Sequence, residues 1–166
     1  EMRSPGEVMG LDTEFGRACA KAQMAAGHDL PQSGKIFMSV KNYDKPAAVQ
    51  LARDAIELGF VIVATHGTAE ALEKEGLDVT PVNKVQEGRP HIVDMMKNGD
   101  INLVFNTTES KQAVVDSFSI RRTALSNDIP YYTTTAGARA TLRAIDNLKR
   151  GALAVRPVQE YLGDEY

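Results

Sequence analysis

The sequence predicts an α/β fold: a three-layer open sheet of parallel strands with helices on both faces. Three observations predict it. Short apolar runs alternate with amphipathic helical stretches at about 20 to 30 residues per unit, the spacing of βαβ units with right-handed crossovers. One of those runs, Phe60-Val61-Ile62-Val63-Ala64, is apolar throughout, as a strand covered on both faces must be. The length of 166 residues, with 43% hydrophobic and 25% charged residues, suits one folded domain rather than a disordered chain.

From the amino end, Phe15, Ala18, Cys19 and Ala22 recur at helical spacing over 12–27, and Asp12 or Thr13 is placed to cap the start. Pro31 and Gly34 interrupt the chain, and 36–40 reads as the first strand. Asp44 sits at the cap of a second helix, which tolerates Pro46 in its first turn, lines Val49, Ala52 and Ile56 on one face, and stops at Gly59. The strand 60–64 leads through Thr65-His66-Gly67-Thr68 into a helix bearing Ala69 and Leu72 that ends at Gly76. A weaker strand spans 78–82, with Pro81 placing it near an edge. Residues 83–90 form a polar loop and 91–97 a short helix. A strand over 101–106 precedes a helix carrying Ala113, Val114, Ser117 and Phe118. Residues 129–133 read as a further strand. Thr134 or Thr135 then caps a long helix with Ala138, Leu142, Ile145 and Lys149 on one face and Leu148 beside them, and 152–155 reads as a last short strand.

Composition narrows the function. A net charge of −3 gives no general pull toward nucleic acid or an anionic membrane surface, and the longest apolar stretches fall far short of the roughly 20 residues of a bilayer span. A single cysteine, Cys19, excludes an intrachain disulfide framework and a cysteine-clustered metal site. His28, His66 and His91 show no metal-ligand spacing. Neither GxGxxG nor GxxxxGK[ST] is present, which removes the usual grounds for a dinucleotide or P-loop site. Residues 1–11, with Pro5, Gly6 and Gly10, read as a linker or the tail of a preceding domain, and 12–166 as the folded domain.

The residues just past the strand ends are the informative ones. The first strand ends at Ser39 and leads to Lys41 and Lys45; the second ends at Thr65 and enters Gly67 and Thr68. The third leads to Asn83 and Lys84, the fourth to Asn106, Thr107 and Thr108, and the fifth to Thr133, Thr134 and Thr135. In an open parallel sheet these ends form one rim, where ligands bind. Hydroxyl and amide donors, free N–H groups at helix starts and compact lysine charge together suit an anion, and phosphate best of all because it accepts many bonds at once. Taken singly, Thr68, Thr108 and Thr135 are also explained as helix caps, and Lys41, Lys45 and Lys84 as solvated charges. His66 lies where it can serve as an acid or base, or simply bond to its own turn. Ile120-Arg121-Arg122-Thr123-Ala124 carries adjacent arginines without aromatics, which points to a salt-bridged surface or a domain contact rather than nucleic acid.

Four separated motifs now align in order: Thr65-His66-Gly67-Thr68-Ala69, Asn83-Lys84-Val85-Gln86-Glu87-Gly88-Arg89-Pro90-His91-Ile92, Asn106-Thr107-Thr108, and Ile120-Arg121-Arg122-Thr123-Ala124-Leu125. They resemble the C-terminal allosteric domain of the carbamoyl-phosphate synthase large subunit, of bacterial type, a member of the methylglyoxal-synthase-like superfamily. The likeness runs over nearly the whole chain, and Glu7-Val8-Met9-Gly10 resembles the end of the preceding synthetic domain, so the chain reads as a fragment. The resemblance implies a flavodoxin-like parallel sheet of about five strands. It implies a non-catalytic regulatory domain whose effectors are UMP and IMP, with the phosphate met by Lys45, Thr65, Gly67, Thr68, Lys84, Asn106, Thr107 and Thr108 and with Ser39 beside it. Tyr131 and Thr133 are implied contacts for ornithine as a further effector.

The resemblance further implies a cytoplasmic parent enzyme that makes carbamoyl phosphate from bicarbonate, glutamine-derived ammonia and ATP for pyrimidine and arginine biosynthesis. That parent uses ATP with Mg2+ or Mn2+ and K+, whereas this domain holds no cofactor and no metal. The implied partners are the synthetic domains of the same chain, a small glutaminase subunit and other large subunits. The chain departs from its relatives at Glu109-Ser110-Lys111-Gln112, where they are more basic, and at Tyr132, where an aspartate is found. Two alternatives stay open: a stand-alone lyase acting on a small phosphorylated substrate, and an interaction module with a vestigial pocket. Against the lyase, the Gly-Thr-Thr-Gly turn and Gly-Gly-Asp segment of methylglyoxal synthase are not matched by Thr65-His66-Gly67-Thr68 and Gly88-Arg89-Pro90-His91. The cyclohydrolase Lys-Thr-Leu-His-Pro run is missing, and with no tryptophan in the chain an N-acetylglutamate-type activator does not fit.

Overall fold

The structure, a computed structural model, describes residues 9–25, 29–107 and 111–151. Along the chain lie α1 (Phe15–Ala25), β1 (Gly34–Ser39), α2 (Lys45–Glu57), β2 (Phe60–Thr65), α3 (His66–Glu73), β3 (Val79–Val82), α4 (Ile92–Lys97), β4 (Leu103–Asn106), α5 (Lys111–Ser126), β5 (Tyr131–Tyr132) and α6 (Thr135–Lys149). Short 3-10 turns occupy Asn42–Asp44 and Val85–Glu87. The chain divides into two compact units, one of residues 33–139 and one of residues 1–32 with 140–166. The expected strand over 152–155, together with His28 and Thr108, lies outside the described residues.

The 33–139 unit is a five-stranded sheet, parallel throughout, in the order β3-β2-β1-β4-β5. The predicted open parallel α/β sheet is therefore the fold of this unit. Because β1 is central, the chain winds outward through β2 to β3, then returns to the other side of β1 for β4 and β5. Right-handed crossovers turn that reversal into two layers, with α2 and α3 on one face and α4 and α5 on the other. The pleat sorts the strand side chains accordingly. Phe37, Val63, Val82 and Val104 join Ile92, Val93, Met96, Ile101, Ile120 and Ala124 in one buried cluster. Their neighbours Ile36, Met38, Ile62, Leu103 and Phe105 are buried on the opposite face. Burying side chains of this size is worth about 1.5–3 kcal/mol each.

Several local expectations are corrected. The strand expected over 129–133 is reduced to Tyr131–Tyr132, although the Pro130 carbonyl still accepts from Val104 N at 3.0 Å. Asp44 stands at the cap of α2 but its side chain accepts no capping bond; its carboxylate is drawn to Lys41 Nζ at 4.0 Å. Phe118, read as part of the helix after β4, is 69% exposed, and α5 buries Ile120 and Ala124. Pro81 does fall on an edge strand, as its missing N–H requires.

In the other unit, α1 buries Gly16 and Ala20, while Phe15, expected on the apolar face, is 65% exposed. Gly16 explains the rotation: a Cβ there would run into Asn147 Nδ2 and lie 3.3 Å from the Arg143 carbonyl, so the helix approaches α6 through its smallest side chains. Cys19 is half-buried, and burial pushes its thiol pKa up. Asp12 pairs with Lys21 Nζ at 2.7 Å, and Lys21 also donates to the Leu11 carbonyl.

Candidate functional site

The site grows out of the carboxyl ends of three adjacent strands. Since β1 pairs with both β2 and β4, the residues that end them are neighbours: Ser39 is in register with Asn106, and Thr65 ends the next strand over. Thr65 is 3% exposed, Thr68 2%, Asn106 3% and Thr107 8%, so four polar side chains are buried at this rim and must find partners.

Their partners are largely the loop that leaves β1. Thr68 Oγ1 accepts from Val40 N at 3.1 Å, and Thr107 Oγ1 accepts from Lys41 N at 3.1 Å. Thr107 N in turn donates to the Ser39 carbonyl at 2.9 Å. Thr65 Oγ1 lies 3.3 Å from both Ser39 Oγ and Thr68 Oγ1. The Thr68 and Thr107 oxygens thus each spend a lone pair on holding backbone, and their own O–H protons are left to turn toward a neighbour or a ligand. Thr68 is not a helix cap. It stands inside the first turn of α3, whose N-cap position is Thr65.

Charge and open space come from the segments that follow these strands. The first N–H groups of α3 lack helical acceptors and give its start a partial positive charge. Gly67, in that turn, would carry a Cβ into open space, with no atom within 4 Å. Lys45 opens α2, half-buried, and its charge reaches α3, where it adds to the larger effect of Lys74 in holding the Glu70 carboxyl below its ordinary pKa. Lys84 follows β3. Its backbone N–H donates to Glu87 Oε2 at 2.7 Å, closing the 3-10 turn, and among the described residues its ammonium and that of Lys45 have no ion-pair partner within 4.0 Å. Asn83 ties this loop to α3, with Oδ1 3.0 Å from His66 Nε2 and Nδ2 donating to the Gly88 carbonyl at 3.4 Å. His66 is therefore bonded to a side-chain amide.

The structure brings Ser39, Thr65, Thr68, Asn106 and Thr107 together at one rim, with Gly67 in the adjoining turn, while Lys45 begins α2 and Lys84 lies in the segment after β3. Tyr131, expected on a separate ornithine side, reaches the same cluster, because Asn106 Nδ2 donates to its hydroxyl at 2.7 Å. Thr133 is exposed just beyond β5. Asn106 Nδ2 also donates to Ser117 Oγ at 2.9 Å. Ser117 belongs to this bonded cluster and was named from sequence only as a residue of its helix; its hydroxyl, set among Ala113, Val114 and Phe118, was the signal available. Among the described residues no three His, Cys, Asp or Glu side chains gather as a metal site would need, and no helix is long and apolar enough to cross a membrane.

A five-stranded parallel sheet with buried hydroxyls along the carboxyl ends of its strands is compatible with several α/β families; the chain belongs to the MGS-like domain family, whose model matches residues 47–133. At a finer level, the chain is 53% identical over 163 residues to the carbamoyl phosphate synthase large chain of Myxococcus xanthus, covering 98% of this chain and 15% of that protein. It is 52% identical to the same protein of Brucella suis (97% of this chain, 14% of the relative) and 54% identical over 150 residues to that of Ralstonia nicotianae (90% and 14%). The chain thus spans about one seventh of the length of these curated relatives. Among solved structures, methylglyoxal synthase from Elizabethkingia anophelis superposes with a TM-score of 0.52 at 17% identity, covering 68% of this chain and 79% of that one, a likeness of fold.

Proposed function

We propose that this chain is a regulatory domain that binds a nucleoside monophosphate, UMP or IMP, and that it serves a carbamoyl phosphate synthase large chain without catalysing a reaction itself. The convergence of the Ser39, Thr65, Thr68 and Thr107 hydroxyls beside the start of α3 carries the reading, with Lys45 and Lys84 supplying charge. A phosphate dianion needs many donors and at least one cation; in this reading the hydroxyls and the start of α3 are the donors and the two lysines the cations. Thr108, next in sequence, completes the donor set the resemblance implies. Ornithine is a second proposed effector, on the side of Tyr131 and Thr133.

The parent we propose makes carbamoyl phosphate in the cytoplasm from bicarbonate, glutamine-derived ammonia and ATP, with Mg2+ or Mn2+ and K+. Its synthetic domains, a glutaminase subunit and further large chains are the partners of this one. Regulation then requires that effector and active site favour different states of the parent. Coupling of this kind is typically worth about 1–3 kcal/mol and acts in both directions. The phosphate anchors the effector, and the nucleoside decides which state is favoured.

Titration calorimetry of the chain with UMP and IMP tests the reading. Saturable binding of either supports it; the absence of heat and of any thermal shift at millimolar nucleotide makes the rim vestigial. Incubation with dihydroxyacetone phosphate tests the lyase alternative, and clear turnover would overturn the regulatory reading.

A further inference from the structure

Asn106 is the buried site residue with the most constrained chemistry. Its carboxamide has two N–H hydrogens and one carbonyl oxygen. Both hydrogens have acceptors, Tyr131 Oη at 2.7 Å and Ser117 Oγ at 2.9 Å. These partners come from two further elements, β5 and α5, so the amide is gripped from two directions. The grip has support behind it: Tyr131 packs against the buried cluster that includes Ile120 and Ala124, and Ser117 lies one helical turn before Ile120 on α5. Burial raises the Tyr131 pKa, so its hydroxyl is neutral at physiological pH and keeps its place in the network. Among the described residues nothing bonds the third polar position, Asn106 Oδ1.

With the amide turned this way, the Ser117 and Tyr131 hydroxyls act as acceptors and Asn106 offers a ligand its carbonyl oxygen. A carbonyl oxygen repels phosphate oxygens and accepts from hydroxyl or N–H groups. We propose that Ser117 and Tyr131 are positioning residues that orient the Asn106 carboxamide so that its Oδ1 reads a hydrogen-bond donor on the sugar or base of the effector. Phosphate capture falls to the threonine hydroxyls, the start of α3 and the two lysines. Asn106 is the point at which the rim distinguishes a nucleotide from bare phosphate. This inference rests on the nucleotide-binding function proposed for the rim. It changes the role implied for Asn106 by the resemblance, from a phosphate donor to a nucleoside reader.

The test uses the whole 166-residue chain and three probes: inorganic phosphate, ribose 5-phosphate and UMP. Tyr131→Phe and Ser117→Ala each remove one acceptor and free the amide to turn. Calorimetry should show UMP affinity falling by roughly tenfold in each variant, the scale of one neutral hydrogen bond, with phosphate affinity unchanged. A matching loss for ribose 5-phosphate assigns the read group to the sugar; a loss confined to UMP assigns it to the base. Equal weakening for all three probes, or none for any, overturns the proposal. If the unaltered chain binds none of the probes, the nucleotide-binding reading itself fails, whatever the variants do. A ligand-free readout accompanies this. In 15N-labelled protein the two Asn106 side-chain amide protons should both be protected from exchange, and each substitution should release one of them. Two rapidly exchanging protons in the unaltered chain would show that the grip does not exist.

Discussion

Thr68→Val replaces a hydroxyl with a methyl of similar size, so it isolates one hydrogen bond with little change in packing. Thr68 is 2% exposed, and its Oγ1 accepts from Val40 N at 3.1 Å while lying 3.3 Å from Thr65 Oγ1. Valine leaves the half-buried Val40 N–H without an acceptor. The cost of stranding such a donor is about 1–3 kcal/mol, more than the net worth of the bond itself. For a chain of this size, each kcal/mol lowers the melting temperature by roughly 2–4 °C. Thr68→Ser keeps the oxygen and should recover most of the loss. Urea denaturation of the three proteins measures the difference, and phosphate or UMP titration of the same samples measures the site. The expected pattern is a stability loss in the valine variant alone, together with weakened anion binding. A valine variant as stable as the parent, to within a small fraction of that cost, would refute the assignment of Thr68 as the acceptor that holds the β1 exit.

Other substitutions separate charge, backbone and pH effects. Lys84→Ala should weaken UMP by about 1.5–3 kcal/mol, roughly 10- to 150-fold, without lowering the denaturation midpoint, since it removes a charge-assisted contact and no buried side chain; unchanged affinity removes Lys84 from the site. Gly34→Ala should cost about 1–3 kcal/mol in thermal denaturation. The residue has φ of +113°, and a Cβ there would run into Asn102 Oδ1, the acceptor of Lys35 N at 2.9 Å; a neutral alanine would mean that Asn102 moves aside freely. The hydrogen bond from Lys21 holds the Asp12 carboxyl below its ordinary 3.8, so the stability this pair contributes is present above that value and is lost as pH falls through the depressed one. Unfolding curves between about pH 5 and 2 should therefore flatten in Asp12→Asn, and identical slopes would exclude the pair as a source of acid sensitivity.

The rim was legible because its residues sit at predictable places. Once 36–40, 60–64 and 101–106 are read as parallel strands, Ser39, Thr65 and Asn106 must fall on one edge, and small donors after several strands are hard to explain as caps alone. Strand order was not legible, since crossover helices of similar length serve either direction; the order β3-β2-β1-β4-β5 is set by tertiary packing. Helix faces were less legible. Phe15, read at helical spacing with the apolar residues of α1, and Phe118, read only as part of α5, are both exposed, and the buried residues are Gly16 with Ala20 and Ile120 with Ala124. In α1 close approach to the Arg143 backbone and Asn147 demanded small side chains, a requirement that hydrophobic periodicity does not register. The Asn106–Ser117 and Asn83–His66 bonds were missed because each is a tether between elements, visible only after the elements have been placed.

The segment leaving β1 is fastened on both flanks, by Thr68 from the α3 side and by Thr107 from the β4 side. The two halves of the rim therefore share one short stretch of backbone. A ligand that drew either threonine toward itself would pull on Val40–Lys41 and, through it, on the threonine opposite, so that the middle of the sheet would register the pull from both sides.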